Sequence, residues 1–473
     1  MKIFRCCCAC ISLWLALPLS GFSNSSQPPN LLFLFADDQA YETIGALGHT
    51  DIETPNLDRL VQSGTTFTHA YNMGGWHGAI CVASRTMLNT GRTVWRAREL
   101  EPRLNEEAAA GRFWPQLLAT AGYQTFFSGK WHVSVDATKV FQHTRHIRPG
   151  MPKDVPAGYQ RPIAGQPDPW SPSDPKFGGF WEGGKHWSEV VADDAGEFLK
   201  QATASEQPFF MYLAFNAPHD PRQSPQEFVE RYPLEHVRVP ENFLPEYPHA
   251  EGIGAGKALR DEKLAPWPRT EHAVKVHRQE YYALITHLDA QIGRILDALQ
   301  ASGQGDNTVI IFTADHGLAV GHHGLLGKQN MYEHSLRAPL ILAGPAIPAG
   351  KRIDARVYLQ DVLPTTLELA GVKVPDFIEF KSLLPLIRGE RTDQYDAIYA
   401  AYMPDRQRAV IAGDFKLIHY PAINVFRLFN LRNDRQELMD LIGDPQHSAT
   451  VARMKQRLVE MQHAMVDPLT AAE

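Results

Sequence analysis

The stretch TVIIFTADHG, residues 308–317, is a short apolar run that ends abruptly in an acid and an imidazole. It is too short for a buried helix, and its β-branched and aromatic residues favour a strand. Because no polar residue alternates with the apolar ones, both of its faces must be covered, as in the centre of a parallel sheet. The same pattern recurs in NLLFLFADD (30–38), YQTFFSGKWH (123–132), PFFMYLAFNAPH (208–219) and APLILAGP (338–345). Between these runs lie ETPNLDRLVQSG, FWPQLLATAG and the longer EYYALITHLDAQIGRILDALQASG, each with helical spacing and a Gly stop. Strands alternating with helices predict an α/β fold, a largely parallel sheet sandwiched by helices. Ligands bind such sheets at the carboxyl ends of the strands. Four of the runs end in polar clusters: Asp37-Asp38, Lys130 with His132, His219, and Asp315-His316. Together they point to one site.

The chain has 473 residues, 44% of them hydrophobic and 21% charged, which is ample for two or three domains. Its formal charge is -7 without long blocks of one sign, which argues against nucleic acid as a partner. An acidic protein that handles an anion needs a local cationic pocket. The N-terminus, MKIFRCCCACISLWLALPLSGFS, has two cations, an apolar stretch and a small-x-small end at Gly21-Phe22-Ser23. This predicts a signal peptide over 1–23, cleaved near Ser23, a secreted or periplasmic product, and no membrane insertion of the mature chain. Removing it would make the charge roughly -9. Residues 143–187 are dense in Pro, Gly and aromatics and predict a surface insertion without regular structure. Near the C-terminus, AVIAGDFKLIHY predicts a hairpin turned at Gly413-Asp414, VFRLFNL another strand, and 447–464 a helix. The expected organisation is a main domain over 28–370 and a small α+β, antiparallel-sheet subdomain over 371–473.

Of the 5 cysteines, four crowd the first ten residues, so Cys81 in GAICVASRTMLNTGR (78–92) has no disulfide partner in the mature chain. Exported proteins commonly use cysteines in pairs. Two readings of this lone cysteine stand side by side: a buried inert thiol, or a reactive nucleophile or its precursor. The motif around it resembles the sulfatase signature C-x-(P/A)-S-R-x4-T-G, with Cys81, Ala83, Ser84, Arg85, Thr90 and Gly91 in register. The resemblance extends over nearly the whole mature chain. It runs through Asp37-Asp38, Gly129-Lys130-Trp131-His132, Ala217-Pro218-His219, Thr313-Ala314-Asp315-His316-Gly317, Lys328 and the tail VFRLFNLRNDRQELMDL. Ala83 stands where Pro is commoner.

That resemblance implies an alkaline-phosphatase-like fold and a sulfuric ester hydrolase acting on sulfated carbohydrate. It implies oxidation of Cys81 to formylglycine by a formylglycine-generating enzyme or maturase. One hydroxyl of the hydrated aldehyde would attack sulfur, and the second would then release sulfate. Asp37, Asp38 and Asp315 are hard oxygen donors suited to one Ca²⁺, with the modified Cys81 and His316 beside them; Mg²⁺ and Mn²⁺ stay open. By the same resemblance Arg85 fixes the aldehyde hydrate, Lys130 and Lys328 clamp sulfate, His132 bonds the reacting group, and His219 protonates the leaving alcohol. His322 and His323 read as loop residues. Trp170, Trp181 and Trp187 are candidate sugar-stacking rings, and Arg260 and Asp261 candidate sugar contacts. Two other readings fit the same residues: a phosphonate or phosphate ester hydrolase, and an inactive binder of sulfated glycans.

Overall fold

A computed structural model describes residues 28–49 and 51–472; the expected signal segment lies outside the described residues. The first apolar run becomes β1 (Asn30–Ala36), buried throughout. Leu31, Phe33 and Phe35 face one apolar cluster and Leu32 and Leu34 another, so the run has no room for polar alternation. The chain continues through β2 (Gly64–Tyr71), β3 (Gly74–Gly75), β4 (Gln124–Lys130), β5 (His143–Arg148) and β6 (Phe209–Ala214). Then follow β7 (Thr308–Ala314), β8 (Arg337–Ala338), β9 (Leu340–Ala343) and β10 (Lys351–Tyr358). The main sheet runs β10-β2-β9-β7-β1-β6-β4-β5, with β8 attached to β2. β1 is parallel to β6 and β7, and β4 is parallel to β6 and β5. β9, from the run APLILAGP, is antiparallel to both of its neighbours.

Helices cover both faces. Leu57 and Leu60 of the helix Pro55–Ser63, Phe198 of Trp187–Ala202, and Leu284 and Leu288 of Glu271–Ala301 pack with Leu32 and Leu34. Leu88 of the helix Ile80–Thr90, Trp114 of Trp114–Ala119 and Leu367 of Val362–Leu369 pack with Phe33 and Phe35. The side-by-side strands β7, β1, β6 and β4 therefore end on one edge of the sheet. Near that edge Gly129 has φ +102°, and a Cβ there would stand 1.8 Å from the Ala214 carbonyl oxygen. Only glycine lets β4 approach β6 so closely just before Lys130.

The segment 143–187 differs from expectation at both ends. HTRHIR forms the edge strand β5, parallel to β4, and its polar side chains are exposed or half-buried because one flank of the strand is free. Trp187 opens a helix of 16 residues. Trp170 and Trp187 are buried, and the half-buried Trp181 donates its Nε1–H to the Pro172 carbonyl, so these rings anchor the insertion. Trp170 and Trp187, expected as possible sugar-stacking rings, are buried and present no open face.

The second sheet contains β11 (Ile398–Tyr402), β12 (Gln407–Ala412), β13 (Phe415–Tyr420) and β14 (Val425–Asn430) in the order β14-β13-β12-β11-β3. The hairpin turns at Gly413-Asp414 as expected, and the helix Ser448–Ala464 packs Met454 and Leu458 on this sheet. Its fifth strand comes from far upstream. Gly74 and Gly75, just upstream of Cys81, pair with Ala401 and Tyr402 across the boundary expected near residue 370. Among the described residues no helix is long and apolar enough to cross a membrane.

Candidate active site

Cys81 lies in the first turn of the helix Ile80–Thr90, where free backbone N–H groups and the helix dipole favour negative charge. All eleven residues of that helix are buried. Ser84 Oγ donates to the Asp315 carbonyl (2.8 Å), and Arg85 Nε donates to Asp315 Oδ2 (3.1 Å). Arg85 also donates to the Lys130 carbonyl (2.7 Å) and lies over the Phe35 ring. Gly91 closes the helix with φ +70°. The spacing C-x-x-S-R-x4-T-G thus describes one helix that carries Cys81 at its start and bolts it to the ends of β4 and β7.

The strand-end clusters do converge. Asp37 Oδ2 accepts a hydrogen bond from Lys130 Nζ, and both oxygens of Asp38 accept from Lys328 Nζ (2.8 and 2.9 Å). Asp38 has φ +67°, a strained value for a non-glycine, held because its N–H donates to Asp315 Oδ1 and its carbonyl accepts from Tyr281. His316 Nδ1 lies 2.9 Å from the Gly317 carbonyl and must donate to it, which turns Nε2 toward Cys81 Sγ at 3.3 Å. His219 Nδ1 likewise donates to the Asp220 carbonyl (2.8 Å), leaving Nε2 directed toward Asp38 Oδ2, 3.9 Å away.

A cleft of about 420 Å³ opens over Cys81, with His132, His219, Lys328, Arg260 and Asp261 on its wall. Lys130 is fully buried beneath it. His132 has φ +52°, and its ring packs on Gly150, where a Cβ would stand 2.3 Å from the imidazole. Arg260 is a candidate contact that the structure brings into the cleft. Asp220 and Gln329 are site residues that the sequence did not single out. Asp220 holds Arg260 through both oxygens (2.5 and 3.1 Å), and Gln329 bridges Gly78 and Asp261. Adjacency to His219 and to Lys328 was the only available signal for Asp220 and Gln329.

Asp37, Asp38, Cys81 and His316 offer ligand atoms within 4.8 Å of one another, and all four are buried. Asp37 Oδ1 is fully buried without a hydrogen-bond partner. An orphaned carboxylate oxygen costs several kcal/mol of lost hydration unless something charged completes it. The group could hold a metal ion. Asp315, also expected as a ligand, stands at the edge of this group: its two oxygens accept from Asp38 N and Arg85 Nε, and Oδ1 is 3.6 Å from His316 Nε2.

The electrostatics agree. Burial alone would push the Cys81 thiol up, but Lys130, Lys328 and His316 hold it well below the ordinary thiol range. Burial, then the charges of Asp315 and Cys81, push Asp37 well above the carboxylate range. His316 is raised to about 9 despite burial, because Asp315, Cys81 and Asp38 surround it. The same field that keeps a proton on Nε2 would hold a metal ion in its place. His219 is lowered by burial and by the neighbouring Lys328.

The family profile described as "Sulfatase" matches residues 29–372. The chain belongs to the sulfatase family. As a sulfatase it is a sulfuric ester hydrolase, and a profile for the "N-sulphoglucosamine sulphohydrolase, C-terminal" region matches residues 321–464. It is 26% identical to an N-acetylglucosamine-6-O-sulfatase of Bacteroides thetaiotaomicron over 96% of this chain and 91% of that one. A choline-sulfatase of Rhizobium meliloti is 29% identical over 88% of this chain and 83% of the relative. Among solved structures, one in complex with its substrate D-glucosamine-2-N,6-O-disulfate superposes with a TM-score of 0.73 at 24% identity, covering 93% of this sulfatase and 99% of that chain. A phosphonate monoester hydrolase from Silicibacter pomeroyi shares the fold at a TM-score of 0.71 and 21% identity, covering 93% and 96%.

Proposed function

We propose that this sulfatase is an exported enzyme that removes sulfate from sulfated carbohydrate, using Cys81 after its conversion to formylglycine by a maturase. The observation that carries the reading is the meeting of the four-donor group, Cys81 among it, with the buried ammonium groups of Lys130 and Lys328 at one cleft. A plain thiol would leave a sulfated cysteine needing attack by water. The hydrated aldehyde instead offers a second hydroxyl on the same carbon to release sulfate.

Asp37, Asp38, His316 and the modified Cys81 would hold Ca²⁺, with Asp315 as a ligand or as the group that sets Asp38 and Arg85. The cation would polarise the sulfate and ease loss of a proton from the nucleophile. Arg85 fixes the helix start against Asp315, which keeps the nucleophile aimed. Lys328 on the cleft wall and Lys130 below it balance the charge of the carboxylates and of the non-bridging sulfate oxygens. His219, its Nδ1–H committed to the Asp220 carbonyl, presents Nε2 to the leaving oxygen, and His132 in the cleft wall bonds the reacting group.

The named N-acetylglucosamine-6-O-sulfatase and the disulfated glucosamine complex support a sugar as the alcohol. The test is sulfate release from defined sulfated mono- and oligosaccharides, run beside matched phosphate and phosphonate monoesters. Sulfate release at higher kcat/KM than phosphate release is expected. Preference for the phospho-esters, or binding of sulfated sugars without turnover by protein modified at Cys81, would overturn the reading.

A further inference from the structure

A second cleft, about 500 Å³ and larger than the catalytic one, lies between the turn after β1, the end of β2, residues 333–337 and Arg435-Gln436. Its acids are engaged. Glu42 lies 3.3 Å from His322 Nε2, Asp354 accepts from Thr68 Oγ1 (2.6 Å), and Glu333 pairs with Lys416 (2.8 Å). Of its three arginines, Arg337 is engaged, donating to the Thr68 carbonyl (2.6 Å), and the other two form no ion pair among the described residues. Arg352 donates only to the Ala46 carbonyl (2.8 Å), and exposed Arg435 makes no hydrogen bond or ion pair among the described residues.

Three imidazoles complete the lining: half-buried His49 and His69, and His334, which is 5% exposed with a buried Nε2 that has no partner. Burial pushes His69 down to about 4 and His334 well below the ordinary range, so both are neutral near pH 7. Two guanidinium groups without an ion pair among the described residues, beside neutral imidazoles and a Glu333 already paired with Lys416, suit an anion that also carries hydroxyl groups. In a chain of net charge -7 such a cluster is a local feature. Residues 316–336 wall both clefts, contributing Lys328 and Gln329 to one and Glu333 and His334 to the other.

We propose that this cleft is a second, non-catalytic subsite for a sulfated saccharide, with Arg352 and Arg435 receiving sulfate and the imidazoles receiving hydroxyls. The proposal rests on the sulfated-carbohydrate reading of the substrate. Loss of two charge-assisted contacts should raise KM for a heparin-derived tetrasaccharide on the order of tenfold. In the Arg352→Ala/Arg435→Ala variant kcat on the tetrasaccharide and kcat/KM on nitrophenyl sulfate should stay within about twofold. An unchanged KM, or an equal loss on both substrates, would refute the subsite. A tetrasaccharide that is not turned over by the parent enzyme would count against the substrate reading alone, and calorimetry then judges the cleft directly. Cys81→Ala protein should bind the tetrasaccharide at least about fivefold more tightly than Cys81→Ala/Arg352→Ala/Arg435→Ala protein. Equal affinity of the two overturns the proposal.

Discussion

At the scale of single residues, the site depends on who holds whom. Lys130 and Lys328 are tied to Asp37 and Asp38, Arg85 to Asp315, and His219 to Asp220. Removing one partner of such a buried pair leaves the other charge uncompensated, which typically costs about 3–5 kcal/mol. Lys328→Ala and Lys130→Ala should therefore damage hydrolysis of every sulfate ester alike. His219→Ala should behave differently. A sugar alkoxide leaves poorly without a proton, whereas a nitrophenolate leaves readily. Loss of the general acid should cost roughly 10²- to 10⁴-fold on sugar sulfates and far less on an aryl sulfate. Equal loss on both would move the acid role to His132.

At the scale of elements, the helix Pro55–Ser63 shows how distant pieces are fastened. Asp289, 1% exposed, accepts from the backbone N–H groups of Asn56 and Leu57 (3.1 and 2.8 Å) and so caps a helix that starts more than two hundred residues upstream. Asp289→Ala should lower unfolding stability by about 1–3 kcal/mol, read by denaturant titration, while activity per folded molecule is kept. The strands β1, β6 and β7 were legible because burial on both faces demands unbroken apolar runs, and their polar ends marked the site. The polar edge strand β5 was not, because an edge needs no such run. Nor was β3, since Gly74-Gly75 carries no side-chain signal; its place is set by room, a Cβ at Gly74 falling 2.0 Å from the Ala401 carbonyl oxygen. Trp170 and Trp187 looked available in a loop-like sequence, yet the insertion folds over them. Asp220 gained meaning only once Arg260, forty residues later, came to meet it.

At the scale of the whole molecule, two sheets and several distant segments close around one buried cluster of opposite charges. Asp37 Oδ1 accepts no hydrogen bond there, and Arg85 Nη2, 3.8 Å away, is likewise without a hydrogen-bond partner. Exhaustive chelation should abolish turnover, and Ca²⁺ should restore it best and raise the unfolding temperature, since a ligand bound to the native state stabilises it by mass action. Full activity after metal removal would exclude a metal role for Asp37, Asp38 and His316. The central claim concerns Cys81 itself, the one cysteine among the described residues, buried at a helix start. Peptide mass spectrometry of active and inactive preparations tests it most directly. The aldehyde at position 81 should rise in proportion to specific activity across preparations; unmodified Cys81 throughout a fully active preparation would contradict the mechanism.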